Sequence, residues 1–270
     1  MKNLYILLFA ILCFSCKNDS KEAKVDTKET SAKEEKTNAA RNLAETIATT
    51  HHKKDFFDNG AIAFDININF GGEERLNGRV TMLTNSSKIK IEKEDGTTIV
   101  YNGEEVFLYP EQKNYEGARF DIFTWPYFFA MPFKLTDDGT KWQEKQERKL
   151  DSTNYNSAKL TFKNNVGDAP DDWYIIYSDK RTHLLKAAAY IVTFGKDVKS
   201  AEENPHAIVY ERYFTVKSVP VAKYWKFYNW SEDKGIYGEA IGDAEISKLK
   251  YIPIEEATFD IPQNAIKVER

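Results

Sequence analysis

Four histidines, His51, His52, His183 and His206, and two cysteines, Cys13 and Cys16, are the residues of this 270-residue chain best suited to metal or nucleophilic chemistry. Neither cysteine lies beyond residue 16, so the rest of the chain has no thiol nucleophile, no cysteine metal ligand and no disulfide. His51 and His52 are adjacent, and neighbouring positions on a helix point different ways, which argues against a shared metal ion. His183 and His206 read as surface residues near strand ends. The sequence holds no His-Glu-x-x-His, Gly-x-Ser-x-Gly, Walker or paired-glycine nucleotide motif. The carboxylate pairs Asp137-Asp138, Asp171-Asp172 and Glu255-Glu256 have the chemistry of an acid/base pair or a calcium site. Each falls in an expected turn, where such side chains serve hydrogen bonding. The reading is a protein that is not an enzyme and has no catalytic residue, metal or cofactor.

Binding chemistry is better represented. Residues 119–135, RFDIFTWPYFFAMPFKL, concentrate aromatic and aliphatic side chains around Pro126 and Pro132. Two prolines at that spacing fit neither a long strand nor an uninterrupted helix, so a short helix beginning at Pro126 is expected, its aromatic side laid on a sheet. This segment is either a core plug or a movable lid over an apolar pocket. The candidate pocket wall is Phe64, Ile66, Val80, Met82, Trp125, Phe128, Phe129, Met131 and Phe133. A second constellation is residues 224–230, YWKFYNW. On a strand, Tyr224, Lys226, Tyr228 and Trp230 share one face and Trp225 and Phe227 the other. The first face has the makings of a glycan-stacking platform, and also of ordinary cross-strand pairs.

These residues need a scaffold, and its period is two. Ile62, Phe64, Ile66, Ile68 and Phe70 alternate with Ala63, Asp65, Asn67 and Asn69 before Gly71-Gly72. Further strands are expected at 75–83, 88–93, 97–101 and 105–109, with Asp95-Gly96 and Asn102-Gly103 suited to tight turns. Longer ones follow at 155–162, 173–178, 184–194, 207–216 and 224–230, then 245–251 and 258–261. Leu43, Ala44, Ile47 and Ala48 mark one stripe of an amphipathic helix over 42–52. The fold class is therefore mainly β (α+β): a curved antiparallel sheet or unclosed β-barrel of ten or eleven strands, with an N-terminal helix and a short aromatic helical lid. A sandwich is the competing architecture. No boundary composition or fixed repeat interrupts the later chain, so residues 41–270 are expected to form one domain.

The first 40 residues read differently. Residues 1–15 have one charge, Lys2, and an apolar run too short for a stop-transfer helix, the pattern of a signal peptide. The run ends in Phe14-Ser15-Cys16, which resembles the bacterial lipobox. That resemblance implies acylation of Cys16 and an anchor in a membrane, although Cys13 stands where the lipobox prefers Leu. From residue 17 to 40 six lysines face six carboxylates with no aromatic residue. Residues 16–40 thus read as the lipidated cysteine and a disordered charged tether, with a charged helix as the alternative. A net charge of −4 argues against nucleic acid as a partner.

Three stretches resemble the bacterial lipoprotein carrier/receptor (LolA/LolB-like) superfamily: Tyr101-Asn102-Gly103-Glu104-Glu105-Val106-Phe107-Leu108-Tyr109-Pro110, the aromatic segment through Pro132-Phe133-Lys134-Leu135, and Ala257-Thr258-Phe259-Asp260-Ile261-Pro262 with Ala265-Ile266-Lys267-Val268. With Cys16, the chain is most similar to Bacteroidota envelope lipoproteins of that presumed fold, for which the resemblance implies no assigned activity. The resemblance implies an unclosed barrel lidded by helices that binds acyl chains. The soluble carrier has a latching Arg between its second and third strands, whereas residues 83–87 here contain none. The expected function is a monomeric, lipid-anchored protein of a Gram-negative envelope, at the outer membrane, whose partner is a hydrophobic ligand, an acyl chain or a lipoprotein's lipid. A filled-core structural or partner-binding lipoprotein, and a glycan-binding module, are the alternatives.

Overall fold

The computed structural model describes residues 27–111 and 115–269. The signal peptide and the Cys16 anchor lie outside them. Helix α1 spans Thr27–Thr50, so the second half of the stretch read as a tether is helical. Lys and Glu are good helix formers, and the apolar stripe behind them supplies the packing that a short charged helix lacks. Ala40, Leu43, Ala44, Ile47 and Ala48 of that stripe are buried. A left-handed His52 turns the chain into α2, Lys53–Asp58, which buries Phe56.

Thirteen strands follow: β1 Ala61–Phe70, β2 Glu73–Leu83, β3 Ile89–Lys93, β4 Thr98–Tyr101, β5 Val106–Tyr109, β6 Thr140–Leu150, β7 Thr153–Phe162, β8 Tyr174–Ser178, β9 Leu185–Tyr190, β10 His206–Val216, β11 Val219–Ser231, β12 Gly235–Ile252 and β13 Ile266–Val268. Helix α3, Ala118–Lys134, lies between β5 and β6, and the short α4, Val198–Glu202, between β9 and β10. All strands form one sheet in the order β13-β5-β4-β3-β2-β1-β12-β11-β10-β9-β8-β7-β6. Two meanders, β1 to β5 and β6 to β12, are joined where β1 pairs with β12, and every pairing is antiparallel. The edges, β13 and β6, do not pair with each other, so the barrel is unclosed.

The expected class is the one found, with thirteen strands where the sequence reading has ten or eleven. Strand β6, TKWQEKQERKL, buries only Trp142 and Leu150 and alternates too little to register as a strand. Residues 258–261 are not a strand; Glu256–Phe259 is a 3₁₀ turn, in which Glu255 and Thr258 cap one another, and the closing strand is β13. The register puts Phe64 opposite Val80 and Ile66 opposite Gly78. A Cβ on Gly78 would stand 2.6 Å from the Glu92 carbonyl oxygen, so only glycine lets β3 pair this closely.

The concave side of the sheet holds one large core with α1, α2 and α3. A smaller cluster on the opposite side, around Trp173, Tyr177 and Trp230, lies under α4.

Candidate ligand cleft

Helix α3 is longer than expected and contains both prolines. Proline at 132 removes the N–H that would bond the Phe128 carbonyl four residues earlier. The Tyr210 hydroxyl, from β10, donates to that carbonyl at 2.8 Å instead. A side chain of the sheet therefore supplies the donor that the helix lacks, and the helix continues.

At its N-terminal end α3 is held to the sheet by an ion pair. Asp121 is fully buried, and Arg75 of β2 donates to both carboxylate oxygens, at 2.7 and 3.1 Å. The Tyr115 hydroxyl and the Trp125 indole N–H, the latter at 2.8 Å, complete the shell. Burial pushes the Asp121 carboxyl above its ordinary range, and the Arg75 charge and these donors oppose the shift. Burial also raises the Tyr115 phenol. At the other end Lys134 reaches the Asn85 carbonyl at 3.4 Å, and the Trp142 indole donates to the Leu135 carbonyl at 3.1 Å. The β2–β3 connection thus meets the helix through a lysine on the helix, and the sheet's arginine contact comes from β2 itself.

All nine expected wall residues lie in the concave core. Phe64 stacks on Phe129 with centroids 4.1 Å apart, Phe56 stacks on Phe133 at 3.8 Å, and Trp125 meets Phe227 at 6.1 Å. The surface between α3 and the sheet is filled by these contacts. The void near His51, Phe129 and Phe133 is about 10 Å³.

A substantial hollow lies on the other flank of α3. A cleft of about 520 Å³ runs between the outer side of the helix and both arms of the sheet. From α3 come Arg119, Phe120, Phe123, Tyr127 and Phe128; from one arm Ile89 and Tyr101; from the other Phe162, Tyr174, Tyr190 and the 191–194 loop. Phe128 is the one expected wall residue that also lines it. Aromatic pairs recur along the lining: Tyr101 meets Phe123 at 4.9 Å, Phe128 meets Tyr190 at 4.9 Å, Tyr127 meets Tyr174 at 5.6 Å and Phe120 meets Phe194 at 5.8 Å. Phe194 is 40% exposed, unusual for Phe.

The polar part of the lining was not legible as a site. Asp137, Asp138 and Asp172, read as turn residues, converge here with Asp168. Arg119 pairs with Asp168 at 2.5 Å, and Asp137 takes Lys134 and, at 2.9 Å, Lys53. Asp172 accepts from the Thr193 N–H at 2.8 Å and its hydroxyl at 2.7 Å, and burial raises its carboxyl. The Tyr127 hydroxyl is buried with no hydrogen-bond partner, and burial beside Asp137 and Asp172 raises it. No motif marks this cluster, since its aspartates come from the α3–β6 and β7–β8 connections and their partners from α2, α3 and the loop after β9.

The histidines do not meet. His51 is fully buried; one ring nitrogen faces the Pro220 carbonyl at 3.2 Å and the other accepts the Leu185 N–H at 3.0 Å. It ties α1 to β9 and β11. His52 bonds Asp55 at 3.2 Å, and His206 is half-buried. In the 224–230 strand Trp225 and Phe227 join the concave core, while Tyr228 and Trp230 join the outer cluster. A groove of about 500 Å³ lies there, but Lys159 covers Trp173 at 4.8 Å and Arg148 covers Trp230 at 5.7 Å, occupying ring faces a sugar would need.

No protein-family model matches the chain, and no curated protein matches it in sequence. Among solved structures it is similar to a putative outer membrane lipoprotein-sorting protein domain from Vibrio parahaemolyticus, at 12% identity and a TM-score of 0.50, over 82% of this chain and 97% of that one. A LolA superfamily protein from Nitrosomonas europaea and a DUF1329 family protein from Desulfovibrio piger, each 12% identical, give TM-scores of 0.47 over 77% and 83% of this chain and 97% of theirs. The likeness is one of fold: one antiparallel sheet that does not close, with helices on its concave side.

Proposed function

We propose that this chain is a monomeric cell-envelope protein of a Gram-negative bacterium, anchored at the outer membrane through acyl chains on Cys16, that binds a hydrophobic ligand, an acyl chain or the lipid of a lipoprotein, alongside α3. The observation that carries the reading is the 520 Å³ aromatic cleft. Its size falls in the range of small-molecule sites, and its lining combines aromatic side chains with a set of charged ones. Burial of a chain there is driven by apolar area at about 25 cal/mol per Å², which favours broad specificity. Displacement of α3 from the sheet would join this cleft to the surface now filled by Trp125, Phe129, Met131 and Phe133 against Phe64, Ile66, Val80 and Met82. In that open state the nine residues form the wall of a larger pocket.

Native mass spectrometry and lipid extraction of the purified chain are expected to reveal a co-purifying lipid, and a solvatochromic probe to bind saturably. Absence of both sinks the proposal. The competing reading, a structural lipoprotein with a filled core, is favoured by the Phe64–Phe129 and Phe56–Phe133 stacks. Two substitutions separate the readings. Phe129→Ala should lower stability by about 3–5 kcal/mol under either. Phe123→Ser, at a half-buried cleft position, should abolish probe uptake with little change in Tm only if the cleft is a binding site.

A further inference from the structure

We infer that the cleft selects its ligand by the charge of the polar end, admitting amphiphiles with an uncharged or cationic head and rejecting anionic ones. The inference deepens the proposed function and rests on it. Two cations line the cleft, and each is already engaged by a carboxylate: Arg119 through its Nε, 3.1 Å from both oxygens of Asp168, and its Nη2, and Lys134 through Asp137. Glu104, Asp138 and Asp172 add three more carboxylates to the same lining. Glu104 and Asp138 are exposed, so solvent and salt screen them. Asp172 is only partly exposed, and the donors that hold it, the Thr193 N–H and hydroxyl, have no net charge.

An incoming carboxylate or phosphate therefore meets an excess of negative charge, and among the described lining residues both cations are already bonded to carboxylates. The partly shielded Asp172 repels such a group more strongly than the exposed Glu104 and Asp138, whose charges water and salt screen. An ammonium gains from the same field, and an ester or amide head pays nothing for it. The aromatic side chains of the cleft offer a surface for an apolar tail, and Asp172 offers a negative place for the head.

The test uses the mature chain loaded with a neutral solvatochromic probe and titrated with three competitors of one chain length: laurate, monolauroylglycerol and dodecylamine. Monolauroylglycerol and dodecylammonium are expected to displace the probe, with laurate at least about tenfold weaker. Asp172→Asn keeps an acceptor for Thr193 and should narrow the laurate deficit, as should Asp172→Asn combined with Asp138→Asn. Equal displacement by all three, laurate strongest, or a deficit unchanged in both variants overturns the charge rule and leaves the proposed function standing. No probe uptake by the unmodified chain overturns the proposed function and the charge rule together.

Discussion

Two buried side chains do work that their sequence positions conceal. The Phe128 carbonyl loses its helical partner to Pro132 and regains one from Tyr210. Tyr210→Phe should leave that carbonyl buried and unpaired, at a cost of about 1–3 kcal/mol. Pro132→Ala restores an N–H, so the tyrosine should matter less in its presence. A double-mutant cycle read by urea denaturation is expected to show coupling of about 1 kcal/mol, and strict additivity would refute the compensation. His51 carries a pH dependence. Burial holds its pKa down to about 4 from 6.5, with the Pro220 carbonyl pulling upward and His52 downward. The unfolded chain takes a proton near pH 6.5 that the folded one refuses until about pH 4, so the neutral imidazole's contribution is complete above 6.5 and is lost as pH falls toward 4. Between pH 7 and pH 4.5 the folded state should lose about 2–3 kcal/mol from this group alone. His51→Gln should be less stable at pH 7 yet lose correspondingly less on acidification; parallel losses in both proteins would remove His51 from the account.

Among the elements, α3 is the one whose attachment decides whether the cleft can open. Its underside is fixed by aromatic stacks and its N-terminal end by the Arg75–Asp121 pair, with Asp121 fully buried. Arg75→Met leaves an uncompensated buried carboxylate and should cost about 3–5 kcal/mol. Adding Asp121→Asn to that variant removes the stranded charge and should recover part of the loss. If the pair holds the helix to the sheet, hydrogen exchange in Arg75→Met/Asp121→Asn should quicken across α3 before it quickens in β1 or β11; uniform acceleration would mean the pair stabilises the fold without holding this helix in particular. How much of this was legible follows from where each signal resides. Strand β1 announces itself because Ile62 to Ile68 alternate on one chain segment, and the α1 stripe does so for the same reason. Helix α3 is partly masked because Pro126 reads as a helix start, whereas the helix begins eight residues earlier, at Ala118. Strand β6 is masked because an edge strand with mostly solvated side chains keeps no period. The cleft is least legible of all, since Ile89, Phe123, Tyr190 and Asp172 share no local pattern and become neighbours only through the curvature of the sheet.

At the scale of the whole molecule, the order of strands explains why the N-terminal helix is indispensable. The sheet opens with β1, in its middle, and both meanders grow outward from the β1–β12 pair, which leaves β6 as an edge with no strand paired on its outer side. An exposed edge strand invites pairing with another chain. Helix α1 lies against β6 and β7 and buries Leu43, Ala44 and Ile47 in the concave core, while His51 at its end bonds strands β9 and β11 from within. Removing α1 would therefore uncover one arm of the half-barrel and its edge together, including the arm that supplies Phe162, Tyr174 and Tyr190 to the cleft. A chain beginning at Thr27 retains every described contact of α1. One beginning at His51 is expected to aggregate, or to melt well below the longer chain, and to lose probe uptake. Scanning calorimetry and light scattering on the two chains check this. Equal melting temperatures with both chains monodisperse would show that the sheet keeps its curvature unaided, and the cleft would then owe its shape to α3 alone.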